Sequence, residues 1–255
     1  MTADYSATEM MICVTARIMQ DDSTAFIGTG IPMLAASLAQ RLYAPNLIPI
    51  FEFGGTGAQL EQLPRAVGEA RTFHRAVAAS GICDIMETAQ RGFIDYGFLG
   101  GAQIDMYGNL NSTVIGSYYP PQVRLPGSGG GNDVGSLCWR TISVMRHDKR
   151  RFVPRCDFVT TPGYLTGCGA REAAGLPRNT GPIQVISTLG KMGFDVGNTY
   201  RMTLEAVFPN ITIQDIIENT GFELLILGDV ETLDPPTAEE LRILREEIDP
   251  DRLYI

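Results

Sequence analysis

Histidine and closely spaced cysteine, the usual ligands of a structural metal, are scarce in this sequence. Only two histidines, His74 and His147, occur among 255 residues, and the five cysteines are scattered, with no Cys-X-X-Cys pair. A zinc site usually needs four such ligands in short-spaced pairs. We therefore expect no bound metal, and we expect the cysteines to be reduced, buried thiols of a cytoplasmic protein.

The chain also lacks long apolar runs and an excess of basic residues. No segment approaches the roughly 18 consecutive apolar residues that a membrane-spanning helix needs. Residues 1–11 do not show a basic segment followed by an apolar one, as a secretory signal would. The formal net charge is −9, whereas nucleic-acid-binding proteins carry basic patches. We therefore expect neither a membrane nor a nucleic acid among the partners.

What the sequence does contain is typical of a globular α/β protein. Hydrophobic residues make up 44% of the chain, and the 28 glycines indicate several close backbone approaches. Helical periodicity at 9–20 and 82–91 alternates with short apolar segments at 25–27, 46–53 and 94–101. This alternation predicts an α/β fold with an open, mostly parallel sheet flanked by helices.

The second half of the chain has a different pattern. Residues 108–135 are rich in Gly, Asn, Ser and Pro, and residues 182–211 contain two or three strands separated by glycine turns. Such closely spaced strands predict an antiparallel edge to the sheet. Capping boxes at Thr212–Asp215 and Thr237–Glu240 predict two further helices. No linker or repeat divides the chain, so we expect one domain over residues 1–255.

A glycine turn, Gly28-Thr-Gly30-Ile-Pro32, lies between the first strand and the next helix. Backbone N–H groups at such a turn suit an anionic ligand, although a plain tight turn explains the pattern about as well. A dinucleotide-binding fingerprint would need a third glycine where the chain has Met33. The sequence therefore does not support binding of a nicotinamide dinucleotide.

Glu52 ends an apolar segment and is followed by Gly54 and Gly55. Ligands of α/β sheets bind at the carboxyl ends of strands. The apolar neighbours Phe51 and Phe53 are expected to remove part of the water around Glu52, which makes a carboxylate more reactive toward a carbonyl carbon. From the local sequence alone, the commoner alternative is a solvated or salt-bridged glutamate at a strand end.

The run Gly127-Ser-Gly-Gly-Gly-Asn-Asp133 precedes a predicted short helix. Glycines let the backbone approach a ligand closely and direct N–H groups at a developing negative charge. A flexible surface loop is an equally good interpretation. Asp133 is a candidate N-cap for the helix.

A basic cluster, Arg146-His-Asp-Lys-Arg-Arg151, follows a predicted strand. In a chain of net charge −9, such a cluster indicates a contact for the phosphates of a cofactor or for acidic groups of a partner subunit. The alternative is a solvated loop.

These segments occur together, and in this order, in a known family. The chain resembles class I coenzyme A transferases over essentially its whole length, and most of all their β subunits of the glutaconate type. The segments that carry the resemblance are GTGIP (28–32), the strand-terminal Glu52, GGAQIDMYGNLNST (100–113), GSGGGND (127–133), TISVMRHDKRRFV (141–153), ENTGF (218–222) and LREEIDP (244–250).

The resemblance implies a fold, a partner and a mechanism. It implies an open α/β sheet and a homologous α subunit, in a heterodimer, an α2β2 assembly or a higher one. It also implies that a glutamate attacks the acyl-CoA thioester and becomes a glutamyl-CoA thioester, from which a second carboxylate takes the coenzyme A. No permanently bound cofactor is implied, since the coenzyme A thioester is a substrate.

The resemblance also assigns site residues. The catalytic glutamate falls on Glu52, and the backbone that binds the thioester oxyanion falls on Gly129 and Gly130. Further contacts to coenzyme A or the acyl group are expected at Gly28, Gly30, Gly54, Gly101, Gln103 and Asn132.

One departure from the family pattern matters. Oxoacid-type members have Ser-Glu-Asn-Gly around the nucleophile, whereas this chain has Phe51-Glu-Phe-Gly54, so no role transfers to Phe51 or Phe53. Relatives that lack the glutamate are acyl-CoA decarboxylases or ring-opening hydrolases, so its presence favours a transferase of dicarboxylic or oxo acids. Two alternatives stay open: a hydrolase or decarboxylase that uses Glu52 as general base, and a non-catalytic partner subunit.

Overall fold

A computed structural model of the protein describes residues 4–255. The chain forms two compact units. Unit 1 is the described part of Met1–Phe98 together with Pro235–Ile255, and unit 2 is Leu99–Asp234. Within residues 4–255, no helix is both long and apolar enough to cross a membrane. The expectation of one domain over residues 1–255 stays a prediction.

Short helices and strands alternate along the described chain. The helices are α1 (Ala7–Arg17), α2 (Ile31–Leu42), α3 (Ile82–Gln90), α4 (Gly131–Leu137), α5 (Ala170–Ala173), α6 (Ile213–Asn219) and α7 (Ala238–Arg242). The strands are β1 (Thr24–Phe26), β2 (Ile48–Ile50), β3 (Gly55–Thr56), β4 (Ala78–Ala79), β5 (Tyr96–Leu99), β6 (Gln103–Ile104), β7 (Leu110–Asn111), β8 (Val114–Ile115), β9 (Val123–Arg124), β10 (Arg140–Met145), β11 (Gly181–Ser187), β12 (Gly190–Phe194), β13 (Met202–Val207) and β14 (Glu231–Thr232). A 3₁₀ turn spans Ala70–Phe73, and a π-helical turn, Ile243–Ile248, continues α7.

The strands of unit 1 follow the order β5-β1-β2-β3-β4. β1 runs parallel to both β5 and β2, whereas β3 is antiparallel to β2 and to β4. The parallel centre of this sheet region therefore carries an antiparallel hairpin at one side.

The helices of unit 1 begin and pack as their sequences dictate. Ser6 caps α1, because its hydroxyl accepts from the Glu9 N–H at 3.1 Å while the Glu9 carboxylate accepts from the Ser6 N–H at 2.7 Å. The C-terminal segment is tied to α1 by an ion pair of 2.7 Å between Arg17 and the fully buried Glu240. The core residues that these helices and β1 bury include Ile12, Ile27, Met33, Leu34, Leu38 and Leu244.

The strands of unit 2 follow the order β10-β11-β12-β13-β14. β10 and β11 are parallel, β12 is antiparallel to both β11 and β13, and β14 is parallel to β13. Two small antiparallel ladders, β6-β7 and β8-β9, lie outside this sheet region. The apolar core of the unit contains Ile104, Leu110, Met145, Phe152, Val185, Met192, Met202, Leu204, Val207 and Ile216.

The predicted α/β class is confirmed, including parallel strands flanked by helices and an antiparallel edge. Residues 182–211 form the antiparallel set β11-β12-β13. Both predicted capping boxes are present: Thr212 accepts from the Asp215 N–H at 3.1 Å, and Thr237 accepts from the Glu240 N–H at 3.1 Å.

Candidate active site

Glu52 lies in the turn between β2 and β3, two residues beyond the end of β2. The Gly54 N–H donates to the Phe51 carbonyl at 2.9 Å, and the Phe51 N–H donates to the Gly55 carbonyl at 2.8 Å. These bonds close a three-residue hairpin loop in which Gly54 has a φ of 117°, a left-handed conformation that such loops use. The prediction that Glu52 ends an extended strand over 46–53 is therefore wrong, because the chain has already turned back at this residue.

Parallel pairing brings the first glycine turn and Glu52 to the same edge of the sheet. Phe26 of β1 is paired with Ile50 of β2, and the Ile27 N–H donates to the Ile50 carbonyl at 2.9 Å. Gly28 therefore lies two residues after Phe26, and Glu52 lies two residues after Ile50, the partner of Phe26. Both follow the carboxyl ends of neighbouring parallel strands, which is where ligands of α/β sheets bind.

The two neighbours of Glu52 in the sequence differ in how exposed their side chains are. Phe51 is only 1% exposed, whereas Phe53 is 47% exposed, and Glu52 itself is half-buried. Within residues 4–255, no hydrogen bond or ion pair engages the Glu52 carboxylate. Partial removal of water from Glu52 by Phe53 stays a prediction, since Phe53 is itself half exposed. The carboxylate is available to react with a ligand.

Gly54 and Gly55 are packed against the backbone of a later segment, residues 72–80. A Cβ atom on Gly54 would lie 1.9 Å from the Ser80 carbonyl oxygen, and one on Gly55 would lie 2.0 Å from the Thr72 carbonyl oxygen. Side chains cannot be that close to a carbonyl oxygen, so only glycine fits at either position. The sequence reasoning missed this support of the Glu52 turn, and its only signal is the glycine pair.

Gly30 starts α2 and borders open space. It is the N-cap of the helix, with a φ of 88°, and its carbonyl accepts from the N–H groups of Met33 and Leu34 at 3.1 and 3.2 Å. A Cβ atom built on Gly28 or on Gly30 would find no atom of residues 4–255 within 4 Å. The turn leaves room for a ligand, and contacts of Gly28 and Gly30 with a substrate stay a prediction.

In unit 2 the Gly-rich run forms the loop that leads into α4. The Gly131 N–H donates to the Ser128 carbonyl at 2.9 Å, and the Asn132 N–H donates to the Ser128 hydroxyl at 3.0 Å. In the part of the chain that the structure describes, the N–H groups of Gly129 and Gly130 have no hydrogen-bond partner. Unpaired backbone N–H groups are what an oxyanion site offers.

Helix α4 follows the Gly-rich run as predicted, but its N-cap is Gly130. Asp133 lies at the third helical position, so its interpretation as the N-cap is wrong. Asn132 lies in the same first turn, and its side-chain amide donates to the Thr160 carbonyl at 3.0 Å. The structure thus brings Gly129, Gly130 and Asn132 together, although the Asn132 amide is engaged by the protein.

Gln103 is buried, and the protein itself uses both ends of its amide. Its Nε2 donates to the Asp157 carboxylate at 3.0 Å, and its Oε1 accepts from the Asn111 amide at 2.7 Å and from the Asp157 N–H at 3.0 Å. A Cβ atom on Gly101 would lie 3.1 Å from the Gln103 carbonyl oxygen. These contacts support the backbone around β6, and a substrate contact at Gly101 or Gln103 stays a prediction.

A family model described as coenzyme A transferase matches residues 8–219. The chain belongs to the coenzyme A transferase family. It is 39% identical to the B subunit of glutaconate CoA-transferase from Acidaminococcus fermentans. This alignment of 258 residues covers 99% of this chain and 96% of the relative. It is also 35% identical over 242 residues to the B subunit of 3-oxoadipate CoA-transferase from Pseudomonas knackmussii, which covers 94% and 92% of the two chains.

The fold agrees with that of a solved member of the family. The crystal structure of glutaconate coenzyme A-transferase from Acidaminococcus fermentans superposes with a TM-score of 0.94, at 36% identity, over 100% of this chain and 99% of the other. The resemblance inferred from the sequence motifs is therefore confirmed, and this chain corresponds to the B subunits of CoA transferases.

The motif at 100–113 of this CoA transferase chain is a scaffold in unit 2. The buried Asp105 carboxylate accepts from the N–H and the side-chain amide of Asn109 at 3.1 and 3.0 Å. The Asn109 side-chain oxygen accepts from the N–H groups of Gly163 and Leu165 at 2.8 and 3.1 Å. Burial raises the pKa of Asp105, although these hydrogen bonds oppose the shift. The motif therefore fixes the loop at 163–165.

The same scaffold reaches the Gly-rich loop. The Leu110 N–H donates to the Thr161 carbonyl at 3.0 Å, and a Cβ atom on Gly131 would lie 3.3 Å from the Thr161 hydroxyl. Together with the contact between Asn132 and Thr160, these interactions hold the loop in place. The specific sequence motif of the CoA transferase thus positions the backbone that carries Gly129 and Gly130.

The basic cluster of the chain is only partly available to ligands. His147 is buried between Ser187 and Thr220, whose hydroxyls lie 2.9 and 3.0 Å from its ring nitrogens, and burial lowers its pKa to about 4. Arg151 is paired with Asp148. His147 therefore carries no positive charge at neutral pH. Arg146, Lys149 and Arg150 are exposed, and their contact with phosphates or with a partner stays a prediction.

Proposed function

We propose that Glu52 is the nucleophile through which this CoA transferase moves coenzyme A from an acyl-CoA to a carboxylic acid. A carboxylate oxygen of Glu52 attacks the thioester carbonyl carbon, and the carbon–sulfur bond breaks to give a mixed anhydride and the CoA thiolate. The thiolate then attacks the Glu52 carbonyl carbon, which forms a glutamyl-CoA thioester and releases the first carboxylate. A second carboxylate then attacks the glutamyl-CoA carbonyl carbon and displaces the CoA thiolate, which gives a new mixed anhydride. The thiolate attacks the acyl carbon of this anhydride, which releases the new acyl-CoA and regenerates Glu52.

The observation that carries this proposal is the state of the Glu52 carboxylate. It lies beyond the carboxyl end of β2, half-buried, and nothing in residues 4–255 pairs with it. A structural glutamate in a sheet protein normally has a partner, because an unpaired half-buried charge is costly. A supported turn and an unpaired carboxylate together suit a nucleophile held ready for a thioester.

Gly129 and Gly130 are proposed to bind the thioester oxyanion. Attack on a thioester carbonyl places negative charge on its oxygen, and preorganised N–H donors stabilise that charge without reorganising. The support is the unpaired state of both N–H groups and the hydrogen bonds that fix the loop on either side.

The acid substrate is proposed to be a dicarboxylic or oxo acid. The two relatives that are 39% and 35% identical are named for glutaconate and 3-oxoadipate, which are both dicarboxylic acids. Their names also describe them as B subunits, so the active enzyme is proposed to contain a homologous α subunit. The coenzyme A thioester is a substrate, and no other cofactor takes part in these steps.

Chemical trapping tests the nucleophile. The assembled enzyme is incubated with acyl-CoA in the absence of an acceptor acid and treated with borohydride, which reduces an anhydride or thioester of Glu52 to the alcohol. Mass spectrometry of the Glu52 peptide should then show the reduced residue, and the Glu52→Gln complex is the matched control. An unmodified peptide in an enzyme that consumes acyl-CoA would favour the alternative, a hydrolase or decarboxylase with Glu52 as general base.

A further inference from the structure

Phe53 is a large apolar side chain left half exposed directly beside the proposed nucleophile. It is 47% exposed, whereas Phe51, on the other side of Glu52, is 1% exposed. Glu52 and Phe53 are consecutive residues of the same three-residue hairpin loop, with Cα atoms about 3.8 Å apart.

The ring of Phe53 rests against the backbone at Gly68. A Cβ atom built on Gly68 would lie 3.4, 3.4 and 3.5 Å from three carbons of the ring, Cδ1, Cε1 and Cζ. Alanine would therefore just touch the ring, whereas a longer side chain would push it away. Gly68 thus packs against the Phe53 ring, while Phe53 as a whole stays half exposed.

We propose that Phe53, seated on Gly68, forms the apolar wall for the carbons of the acyl group that adjoin the thioester carbonyl. The inference rests on the proposed role of Glu52 and deepens it by naming an acyl-selecting residue. Each methylene that leaves water against such a wall gains favourable transfer free energy. The wall therefore favours acyl groups with at least two or three apolar carbons next to the carbonyl over acetyl.

The test compares acyl-CoA donors that differ in the carbons next to the thioester carbonyl. The assembled enzyme is assayed with acetyl-CoA, butyryl-CoA and glutaryl-CoA against one acceptor acid. Phe53→Ala should lower kcat/KM about tenfold or more for butyryl-CoA and glutaryl-CoA, with at most a twofold change for acetyl-CoA. The matched control is Phe93→Ala, which truncates another exposed phenylalanine of unit 1 (66% exposed) and should change none of the three.

A substitution at Gly68 should disturb the position of the Phe53 ring without altering Phe53 itself. Gly68→Leu should displace the ring and reproduce the loss for the longer donors, while Gly68→Ala should leave selectivity unchanged. Both changes act through the contact between Gly68 and the Phe53 ring. The double variant Phe53→Ala/Gly68→Leu should therefore have the same kcat/KM for each donor as Phe53→Ala alone.

The outcomes separate this inference from the proposed nucleophile. An equal fall in kcat/KM for all three donors, or no change for any, contradicts the wall, and so does loss of assembly with the α subunit on size-exclusion chromatography. Borohydride trapping of Glu52 in the Phe53→Ala enzyme with acetyl-CoA reports on the nucleophile independently. Trapping without altered selectivity overturns only the wall, whereas altered selectivity without trapping overturns only the nucleophile.

Discussion

The fully buried carboxylates Glu240 and Asp249 of unit 1 are engaged by hydrogen-bond donors, whereas the half-buried Glu52 is not. Glu240, which is fully buried, accepts from Arg17 at 2.7 Å and from the Tyr43 hydroxyl at 2.7 Å. Asp249 accepts from the N–H groups of Leu253 and Tyr254 at 2.7 and 2.8 Å. Such pairing offsets the desolvation of a charge. Glu52 has no such partner among residues 4–255, which leaves its carboxylate open to a ligand.

His147 makes stability depend on pH. Burial lowers its pKa from 6.5 to about 4, so the folded chain keeps this ring neutral while the unfolded chain can protonate it. Above pH 6.5 the group adds no pH dependence. As the pH falls from 6.5 toward 4, only the unfolded state takes up the proton, so up to about 3 kcal/mol of stability is lost.

The measurement is the thermal midpoint of the assembled enzyme between pH 7.5 and pH 4.5, for wild type and His147→Gln. The variant should be less stable at pH 7.5, because it loses the stacking on Phe152 at 3.7 Å, yet its midpoint should fall less steeply below pH 6.5. Parallel curves for the two proteins would show that folding does not lower the pKa of His147.

At the scale of the element, the β2-β3 hairpin and the Gly-rich loop are both glycine-containing turns that hydrogen bonds hold in place. In both, glycines allow a close approach, and neighbouring groups hold the turn: the Ser80 N–H donates to the Gly54 carbonyl at 3.2 Å, and the Ser128 hydroxyl accepts from the Asn132 N–H. Rigid turns keep reacting groups within the small displacements that catalysis tolerates.

The Gly-rich loop supplies the second prediction. Gly130 has a φ of −76°, which any residue adopts, so Gly130→Val adds a side chain without backbone strain. If the N–H groups of this loop bind the oxyanion, kcat should fall by roughly 10²-fold or more with little change in KM. The control is Gly228→Val, because a Cβ atom there would lie more than 4 Å from every other described part of the chain, residues 4–255. An unchanged kcat in assembled Gly130→Val would mean that the loop is structural.

Elements with strong local signals were predictable, and those set by contacts distant in sequence were not. The capping boxes fix α6 and α7 locally, and alternation along the chain was enough for the α/β class. The apolar segment at 46–53, in contrast, predicts one strand, while the structure turns at Glu52, because Gly54 and Gly55 pack on residues 72–80. Nothing near Glu52 in the sequence shows that contact.

At the scale of the whole molecule, the first expectation is assembly. Relatives of this chain are named as B subunits, so the chain produced alone should show no transferase activity, and co-production with a homologous α subunit should restore it. Light scattering of the purified complex should give a mass that corresponds to equal numbers of the two subunits. Full turnover by the isolated, homogeneous chain would contradict this expectation.

The sequence points to residues of the proposed site only where a residue type carries its own chemistry. Glu52 and the Gly-rich run stand out in the sequence because a carboxylate can be a nucleophile and glycines expose N–H groups. Gln103 and Asn132 are equally polar, yet the structure engages their side chains with Asp157 and Thr160. Whether an amide faces a ligand or the protein depends on the tertiary contacts around it.

The central claim is that acyl transfer passes through the Glu52 carboxylate. Glu52→Gln keeps the size and shape of the side chain but removes the nucleophile, so the complex should assemble and bind acyl-CoA while forming neither anhydride nor glutamyl-CoA. Glu52→Asp retracts the carboxylate by one methylene and should cost on the order of 10²-fold in rate, because near-attack geometry tolerates little displacement.

The most direct measurement is the exchange of isotopically labelled acid into acyl-CoA by the assembled enzyme. Wild type should exchange label without any second substrate, since the first acid leaves and returns through Glu52. Glu52→Gln should show almost none, with Glu61→Gln, an exposed glutamate of unit 1, as the matched control that retains exchange. Exchange by Glu52→Gln within about tenfold of the wild-type rate, a difference below about 1.4 kcal/mol, would contradict the role of Glu52 as nucleophile.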